Sequence, residues 1–581
     1  MKPKRALFPL LSAVLFMAGC HASKGDHFSL DIKAEQKLVG HSREFERRVY
    51  QVADGVYSAV GFGLANSIML VGRDGVIIVD TMETNEEGRA VFEAFRKITR
   101  LPVKAIIYTH FHTDHINGAT VFAQDAPEIF AHESLDSLAN RFSSETSTII
   151  GARSMRMYGN YLDKRAVLNA GIGPFLGITD QSTLGYVPPT RTFKDRLKAT
   201  VAGIAFELIH APGETDDQIY VWLSDRKILI SADNLYKAFP NLYTIRGTWF
   251  RSLKNWYRSV DIIRDLRPEF LIPGHGRPIV GAEEIYRIAT DYRDVIQFVH
   301  DQSLRGMNQG MTADDLAEQV KLPEHLAGSP YLQEFYGKVS WSARAMFFGH
   351  LGWFSGDSAD LQPQSRKNQA GMMAEIAGGE DKLLDHLRRY FEKGDFQTAL
   401  QLSGYLLRLN ADNQEAREIR VKALTTLGEQ EANAPARLYY LTEAQELGSD
   451  FIALSKVKIN SPMANRFPLS LYFDYLPTSL DPKTSSHVNK RVGIQFTDQG
   501  EAYTIHIRQG VAEIQPRLLD NLDMLVQADS KAWKEMLVNL RSPLTTLASF
   551  EYKKGNAFEF MLFLNNFKRP KPRLSVNIDD S

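Results

Sequence analysis

Thr109-His110-Phe111-His112-Thr113-Asp114-His115-Ile116-Asn117-Gly118-Ala119 is the stretch on which the reading of this chain turns. Three of the 15 histidines and one aspartate fall within it, directly behind the apolar run 104–108. Imidazole nitrogens and carboxylate oxygens are the donors that zinc-like ions take at about 2.0–2.2 Å, and a rigid loop after a strand can aim alternate side chains at two neighbouring ions. The blander reading is a loop of four solvated polar residues.

Outward from this loop, residues 48–290 are organised as short apolar runs separated by turns and amphipathic stretches. Val76 to Val79 ends at Asp80, and a helical pattern follows through Ile98. Later runs are Ala205 to Ile209, Ile219 to Leu223, Ile228 to Ile230 and Phe270 to Ile272. Brief apolar runs bounded by turn formers predict buried strands, so this region is α/β. Its His, Asp and Glu residues stand just behind the strands, where loops present chemistry. They include His210-Ala-Pro-Gly-Glu214-Thr215-Asp-Asp217-Gln218, Ser231-Ala-Asp233 and Pro273-Gly274-His275-Gly276.

The H-x-H-x-D-H pattern of His110 to His115 resembles the signature of the metallo-β-lactamase superfamily. The resemblance implies an αββα sandwich in which His110 and His112 hold one metal ion while Asp114 and His115 hold a second. It further implies Glu214, Asp233 and His275 as ligands, with Asp233 bridging. A carboxylate between two cations is stabilised in its ionised form by each of them. Asp80, His132 and His210 are expected to support the ligands or the fold. Glu214 stands where that superfamily usually carries a third histidine, and this narrows the likeness to the bacterial alkylsulfatases. Further stretches carry that likeness: Met155 to Gly159, Asn241-Leu-Tyr-Thr-Ile-Arg246-Gly247, His300 to Gly310, Leu322-Pro323, Tyr336-Gly337 and Leu351 to Gly356. Asn241 and Arg246 are the residues it places against a sulfate group. A planar guanidinium offers paired donors to a tetrahedral oxyanion. Asp233 replaces a family glutamate and Pro240 a family histidine, in the region that lines the substrate.

The family likeness also implies an all-helical dimerisation domain and a small α+β sterol-carrier-protein-like domain at the C-terminal end. The residues agree in kind. Between 291 and 450 the apolar period becomes helical, with Asp291 to Leu304 and then Leu383 to Phe391, Phe396 to Leu409 and Gln414 to Leu427, and a polar linker at 357–380. Over 455–581, Val492, Ile494 and Phe496, the turn Asp498-Gln-Gly500, then Tyr503, Ile505 and Ile507 read as a hairpin with one buried face. The last dozen residues are basic and contain proline.

Composition narrows the function classes. The 581 residues are 44% hydrophobic and 24% charged, which is ordinary globular usage. Lys plus Arg number 68 against 69 for Asp plus Glu, so there is no global basic field for nucleic acid. The one cysteine, Cys20, excludes an intramolecular disulfide framework and a thiolate metal cluster. Residues 1–20 carry Lys2, Lys4 and Arg5, an apolar run from Ala6 to Ala18, and Gly19-Cys20. That run is too short to cross a hydrocarbon core of about 30 Å and reads as a signal peptide. Met17-Ala18-Gly19-Cys20 resembles a bacterial lipobox, implying lipidation at Cys20. The expected location is the cell envelope, as a periplasm-facing or outer-membrane lipoprotein or as a secreted periplasmic protein.

The resulting domain division is 1–20 signal peptide, 40–290 catalytic, 291–450 dimerisation and 455–581 sterol-carrier-like. The expected activity is that of an enzyme with two Zn2+, cleaving primary alkyl sulfates such as dodecyl sulfate to alcohol and inorganic sulfate, with Asp114 and Asp233 at the chemistry. The resemblance implies attack at carbon, a homodimer, and membrane contact through the lipid anchor. The rivals are a lactonase, thioesterase or phosphodiesterase on the same scaffold, and an envelope lipoprotein that only binds amphiphiles.

Overall fold

The computed structural model describes residues 32–449 and 452–568. The lipobox with Cys20 and the basic C-terminal tail lie outside the described residues.

Two sheets form the centre of the first domain. One holds β1 (Arg48–Ala53), β2 (Val56–Val60), β3 (Ser67–Val71), β4 (Val76–Val79), β5 (Val103–Ile107), β6 (Glu128–His132) and β7 (Arg191–Phe193), in that spatial order. β1 to β4 are antiparallel, and β4 to β7 are parallel. The other holds β8 (Arg196–Val201), β9 (Ile204–His210), β10 (Ile219–Leu223), β11 (Ile228–Ala232), β12 (Phe270–Pro273) and β13 (Ile279–Val280), again in sequential order. Here β11 and β12 form the parallel pair.

β4, β10 and β11 are buried on both faces, which is why their sequences do not alternate between apolar and charged residues: β4 is all Val and Ile, β10 adds Tyr220 and Trp222, and β11 ends in Ser231 and Ala232. Ile68, Leu70, Ile77, Val79 and Ile107 interlock across the sandwich with Leu208, Val221, Ile228, Ile230 and Ile272. The outer face of the first sheet is covered by helix Asn85–Arg96 through Val91 and Phe95. The second sheet is covered by helices Leu253–Leu266 and Ala282–Asn308 through Trp256, Val260, Ile288 and Tyr292. The four layers are the αββα sandwich that the family resemblance implies.

The boundary expected at residue 290 falls inside a single helix, Ala282–Asn308. That helix begins behind Gly281, whose φ of 107° ends the preceding strand, and its apolar face packs on the second sheet before it enters the helical region. The helical region continues through Ala313–Gln319, Val339–Leu351, Arg366–Ala377, Glu380–Glu392, Phe396–Leu409, Gln414–Gln430 and Ala434–Leu447. The polar stretch expected to be a linker at 357–380 therefore contains helix Arg366–Ala377. Its buried side chains are the small Ala370 and Ala374, with Met373 and Ala377 partly buried beside them and Met372 and Ile376 exposed, so its apolar residues do not gather into one wide stripe.

The C-terminal unit is α+β. β14 (Asn489–Phe496), β15 (Glu501–Arg508), β16 (Val511–Gln515), β17 (Met524–Ala528) and β18 (Glu551–Lys554) form one sheet in the order 16-15-14-17-18. Val492 faces Ile505 and Ile494 faces Tyr503, the register the alternation predicts. Its core is filled by rings: Phe473 stacks on Tyr503 at 3.9 Å and on Trp533 at 5.9 Å. Among the described residues no helix is long and apolar enough to cross a membrane.

Candidate metal centre

The parallel pairs β4/β5 and β11/β12 both end at one edge of the sandwich, and every part of the centre hangs from those ends. Asp80 follows β4 and His110 to His115 follow β5; the Asp80 amide donates to the Ile107 carbonyl at 3.0 Å. Asp233 follows β11 and His275 follows β12; the Gly274 amide donates to the Ala232 carbonyl at 2.8 Å. A Cβ at Gly274 would lie 2.2 Å from Asp233 Oδ1, so only glycine lets the two strand ends approach this closely. Asp80 and Ala232 carry positive φ values of 60° and 48°, local strain held where the ligands turn inward.

Six residues separated by up to 165 positions in sequence converge as two buried groups, His110 with His112 and Asp233, and Asp114 with His115 and His275. In each group the donor atoms lie within 4.8 Å of one another. Asp233 Oδ2 joins them, at 3.7 Å from His110 Nε2, 3.4 Å from His115 Nε2 and 3.1 Å from His275 Nε2. Asp114 Oδ2 is 3.4 Å from His115 Nε2.

The surrounding hydrogen bonds set the tautomers. His115 Nδ1 donates to Asp80 Oδ2 at 2.7 Å, and His275 Nδ1 donates to the Leu64 carbonyl at 2.8 Å. Thr109 Oγ1 donates to Asp80 Oδ2 at 2.8 Å, which leaves its oxygen to accept from His110 Nδ1 at 3.1 Å. Each of the three imidazoles therefore turns an Nε2 lone pair inward, and His112 faces His110 Nε2 with its Nδ1 at 2.9 Å. His115 Nε2 and Asp233 Oδ1 are buried and make no hydrogen bond. Convergent lone pairs and unpaired buried acceptors are the donor set a cation satisfies, so the residues fit a metal pair.

The electrostatics agree. Burial, then the neighbouring imidazoles and arginines, hold His110 and His112 well below the ordinary histidine range, so both are neutral donors. His115 is pushed well up: burial opposes this, but Asp233, Asp114 and Asp80 outweigh it. Asp233 is held well below the usual carboxylate range against its own burial by His275, His115 and His110. Protons and carboxylates thus balance in the place where bound cations would displace the protons.

Glu214 stands outside both groups. Its Oε1 accepts from Arg251 Nη1 at 2.6 Å and from Asn241 Nδ2 at 3.2 Å, while its Oε2 is buried without a partner. Burial lifts its carboxyl to about 7, with Arg251 pulling the other way. Arg246 is brought to the ligands, its Nη2 3.4 Å from His112 Nε2 and its guanidinium 5.3 Å over the Phe142 ring. Asn241 turns its side-chain amide to Glu214. His210 and His132 stack on each other at 4.1 Å outside the two groups, and Asp80 supports His115 as expected. Arg251 has no counterpart in the sequence reading. Its only signal was a lone cation inside the apolar run Trp249-Phe250-Arg251, five residues beyond Arg246.

Comparisons with known proteins agree with this geometry. Residues 60–275 match the metallo-β-lactamase superfamily, and residues 312–450 match the alkyl sulfatase dimerisation family. A linear primary-alkylsulfatase from Pseudomonas sp. is 35% identical over 520 residues, covering 86% of this chain and 98% of that relative. The chain belongs to the alkylsulfatase family of the metallo-β-lactamase superfamily. An (R)-specific secondary-alkylsulfatase from Pseudomonas sp. is 28% identical, covering 80% of this chain and 72% of its own. The solved structure of a stereoselective inverting sec-alkylsulfatase from Pseudomonas sp. superposes with a TM-score of 0.84 at 25% identity, covering 90% of this chain and 85% of that one. This alkylsulfatase-family chain is thus a metal-binding hydrolase, with the superfamily sandwich followed by helical and α+β regions.

Proposed function

We propose that the chain is a zinc-dependent sulfuric ester hydrolase acting on primary alkyl sulfates, releasing the alcohol and inorganic sulfate. The observation that carries this is the pair of buried His/Asp groups sharing Asp233, with the Arg246 guanidinium at their rim, in a chain that spans nearly the whole of a linear primary-alkylsulfatase.

His110, His112 and Asp233 would hold one Zn2+; Asp114, His115 and His275 would hold the other, with Asp233 between them and Glu214 Oε2 available beside them. When bound, such ions supply Lewis acidity and a water-derived nucleophile at neutral pH. The chain's own residues do the rest. Asp80, Thr109 and the Leu64 carbonyl fix the imidazole tautomers, and Arg246 neutralises the sulfate and holds it in line. The Phe111 ring lies 5.8 Å from Phe142 and 6.0 Å from Trp249, beside His112 and under the reach of Arg246, and these rings would keep water from a bound sulfate ester. With attack at carbon, water supplies the alcohol oxygen and sulfate leaves with the original ester oxygen.

We also propose a homodimer. Leu351, Trp353 and Phe354 are exposed inside the segment matched by the dimerisation family, and a second copy would cover them. The C-terminal unit, read as sterol-carrier-like, would gather alkyl chains, and Cys20 would anchor the chain in the cell envelope by a lipid.

The test is sulfate release from dodecyl sulfate by protein lacking residues 1–20, with metal content measured on the same sample and a chelator control. Chelator-sensitive sulfate release at two zinc equivalents is the expected result. Metal without sulfate release moves the activity to a lactonase, thioesterase or phosphodiesterase. In 18O-labelled water the label should enter the alcohol; label in sulfate refutes attack at carbon. Sedimentation reads the dimer, and the mass of the N-terminal peptide with and without Cys20→Ala reads the anchor.

A further inference from the structure

Arg251 presents a problem that the metal centre does not solve. The residue is 5% exposed, and one nitrogen, Nη1, carries its protein hydrogen bonds to Glu214 Oε1 and to the main-chain oxygen of Asn241. Its Nε and Nη2 are buried and meet no acceptor. A guanidinium keeps its charge at every accessible pH and offers its donors as a planar fork, so an open buried edge is a standing cost unless something accepts from it.

Its surroundings indicate what that acceptor is attached to. Arg251 lines a cavity of about 420 Å³ whose walls include Leu242, Trp249 and Phe250 from its own segment, and Trp341 and Phe348 from helix Val339–Leu351. On its other side it reaches Glu214, Asn241 and, electrostatically, His110 and His112. Arg251 therefore stands at the junction between the ligand groups and an apolar cavity. A charged fork at one end and aromatic and aliphatic walls beyond it make a site for an amphiphilic anion: one acidic head and one hydrocarbon tail.

We propose that Arg251 is a second sulfate-holding guanidinium. Its Nε/Nη2 edge accepts the head group of an alkyl sulfate whose chain lies along the Trp249, Phe250, Trp341 and Phe348 walls, while Glu214 fixes the fork from behind. The substrate class rests on the function proposed above; the anion site itself rests on the buried open edge and the cavity. Arg246 and Arg251 then divide the oxyanion between them, Arg246 from the His112 side and Arg251 from the cavity side. A neutral alcohol of the same chain length lacks the group that Arg251 holds, so the site favours ester over product. The part of the cavity formed by Trp341 and Phe348 makes the helical region a determinant of chain length.

Binding of decane-1-sulfonate, a non-hydrolysable anion of the same shape, to metal-loaded protein tests this by calorimetry below its micelle concentration. Arg251→Met should weaken binding about tenfold or more at unchanged metal content and melting temperature, because a hydrogen-bonded charge is removed from a buried site. Arg251→Lys keeps the charge without the fork and should recover part of the loss. Phe348→Ala should weaken decanesulfonate while leaving ethanesulfonate unchanged. Equal decanesulfonate affinity in native protein and Arg251→Met overturns the proposal, and so does loss of binding that follows loss of metal in both Arg251 variants. If Arg251→Met does not fold, Arg251→Lys with native affinity overturns it equally. The readout needs no turnover, so native protein that binds sulfonate through Arg251 but releases no sulfate from dodecyl sulfate refutes the proposed reaction and leaves the anion site standing.

Discussion

Asp80→Asn should cost the centre one of its ions while leaving every proposed ligand in place. Asp80 is fully buried; its Oδ1 accepts the Thr109 amide at 2.8 Å, and its Oδ2 accepts both Thr109 Oγ1 at 2.8 Å and His115 Nδ1 at 2.7 Å. Asparagine has one acceptor where aspartate has two. With its NH2 at the Oδ1 position, it opposes the Thr109 N–H donor to donor. With its NH2 at the Oδ2 position, it forces His115 to give up the Nδ1 proton, and the proton that remains on Nε2 blocks the metal-facing lone pair. The backbone does not confound the change, because asparagine tolerates the left-handed φ of 60° at this position as well as aspartate does. Loss of such a support typically costs 10–100-fold in metal affinity, about 1.4–2.7 kcal/mol. Zinc titration against a chromophoric chelator measures it, with the loss confined to the ion at Asp114, His115 and His275. If Asp80→Asn binds both ions as tightly as native protein, the argument from tautomers is wrong.

Other expectations follow from the same geometry. Arg156 makes a buried two-point ion pair with Glu446, at 2.9 and 2.7 Å, joining helix Ser147–Met157 of the first domain to helix Ala434–Leu447. Arg156→Met should destabilise the chain by about 3–5 kcal/mol in urea, and the double variant with Glu446→Leu should recover most of it; equal stability of native and single variant would rule the pair out as a lock. Glu83 is fully buried, and burial, then Glu87, lifts its carboxyl to about 8. The folded state thus keeps a proton that the unfolded state releases near 4.5, so stability falls as pH rises from about 4.5 to 8, by at most about 1.4 kcal/mol per unit. Glu83→Gln should flatten that part of the stability curve; an unchanged slope assigns it to other groups. Removing metal with a chelator should lower the melting temperature, since the ions bind the folded state alone and leave His115 Nε2 and Asp233 Oδ1 unpaired when absent. A melting temperature indifferent to chelator would mean that the two groups hold no ion.

Legibility from the sequence differed by region, for physical reasons. The His110–His115 loop and the strands around it were readable because each donor set sits next to its own strand end, and strands buried on both faces, such as Val76–Val79 and Ile228–Ala232, announce themselves as apolar runs. The hairpin Asn489–Arg508 was readable because its alternation has one buried face. Helix Arg366–Ala377 was not, because its buried side chains are two alanines while Met372 and Ile376 are exposed, so no apolar stripe marks one face. The position expected to divide the catalytic and helical regions lies within Ala282–Asn308 because that helix serves both with one continuous apolar stripe.

The sequence by itself determined the chemistry of the centre: which donors there are, that they are nitrogen and oxygen without sulfur, and that they follow strands. Only the tertiary structure decided their distances. Asp233 is 123 positions from His110 and 42 from His275, and nothing in that spacing says that one carboxylate oxygen lies within 3.7 Å of both. The pairing of β4 with β5 and of β11 with β12 sets it, together with the glycine that lets their ends touch. Tertiary structure likewise turned Glu214 toward Arg251 and left one edge of that guanidinium open beside an apolar cavity. Hydrogen bonds and burial are properties of space, and local pattern reports them only where neighbours in space are also neighbours in the chain.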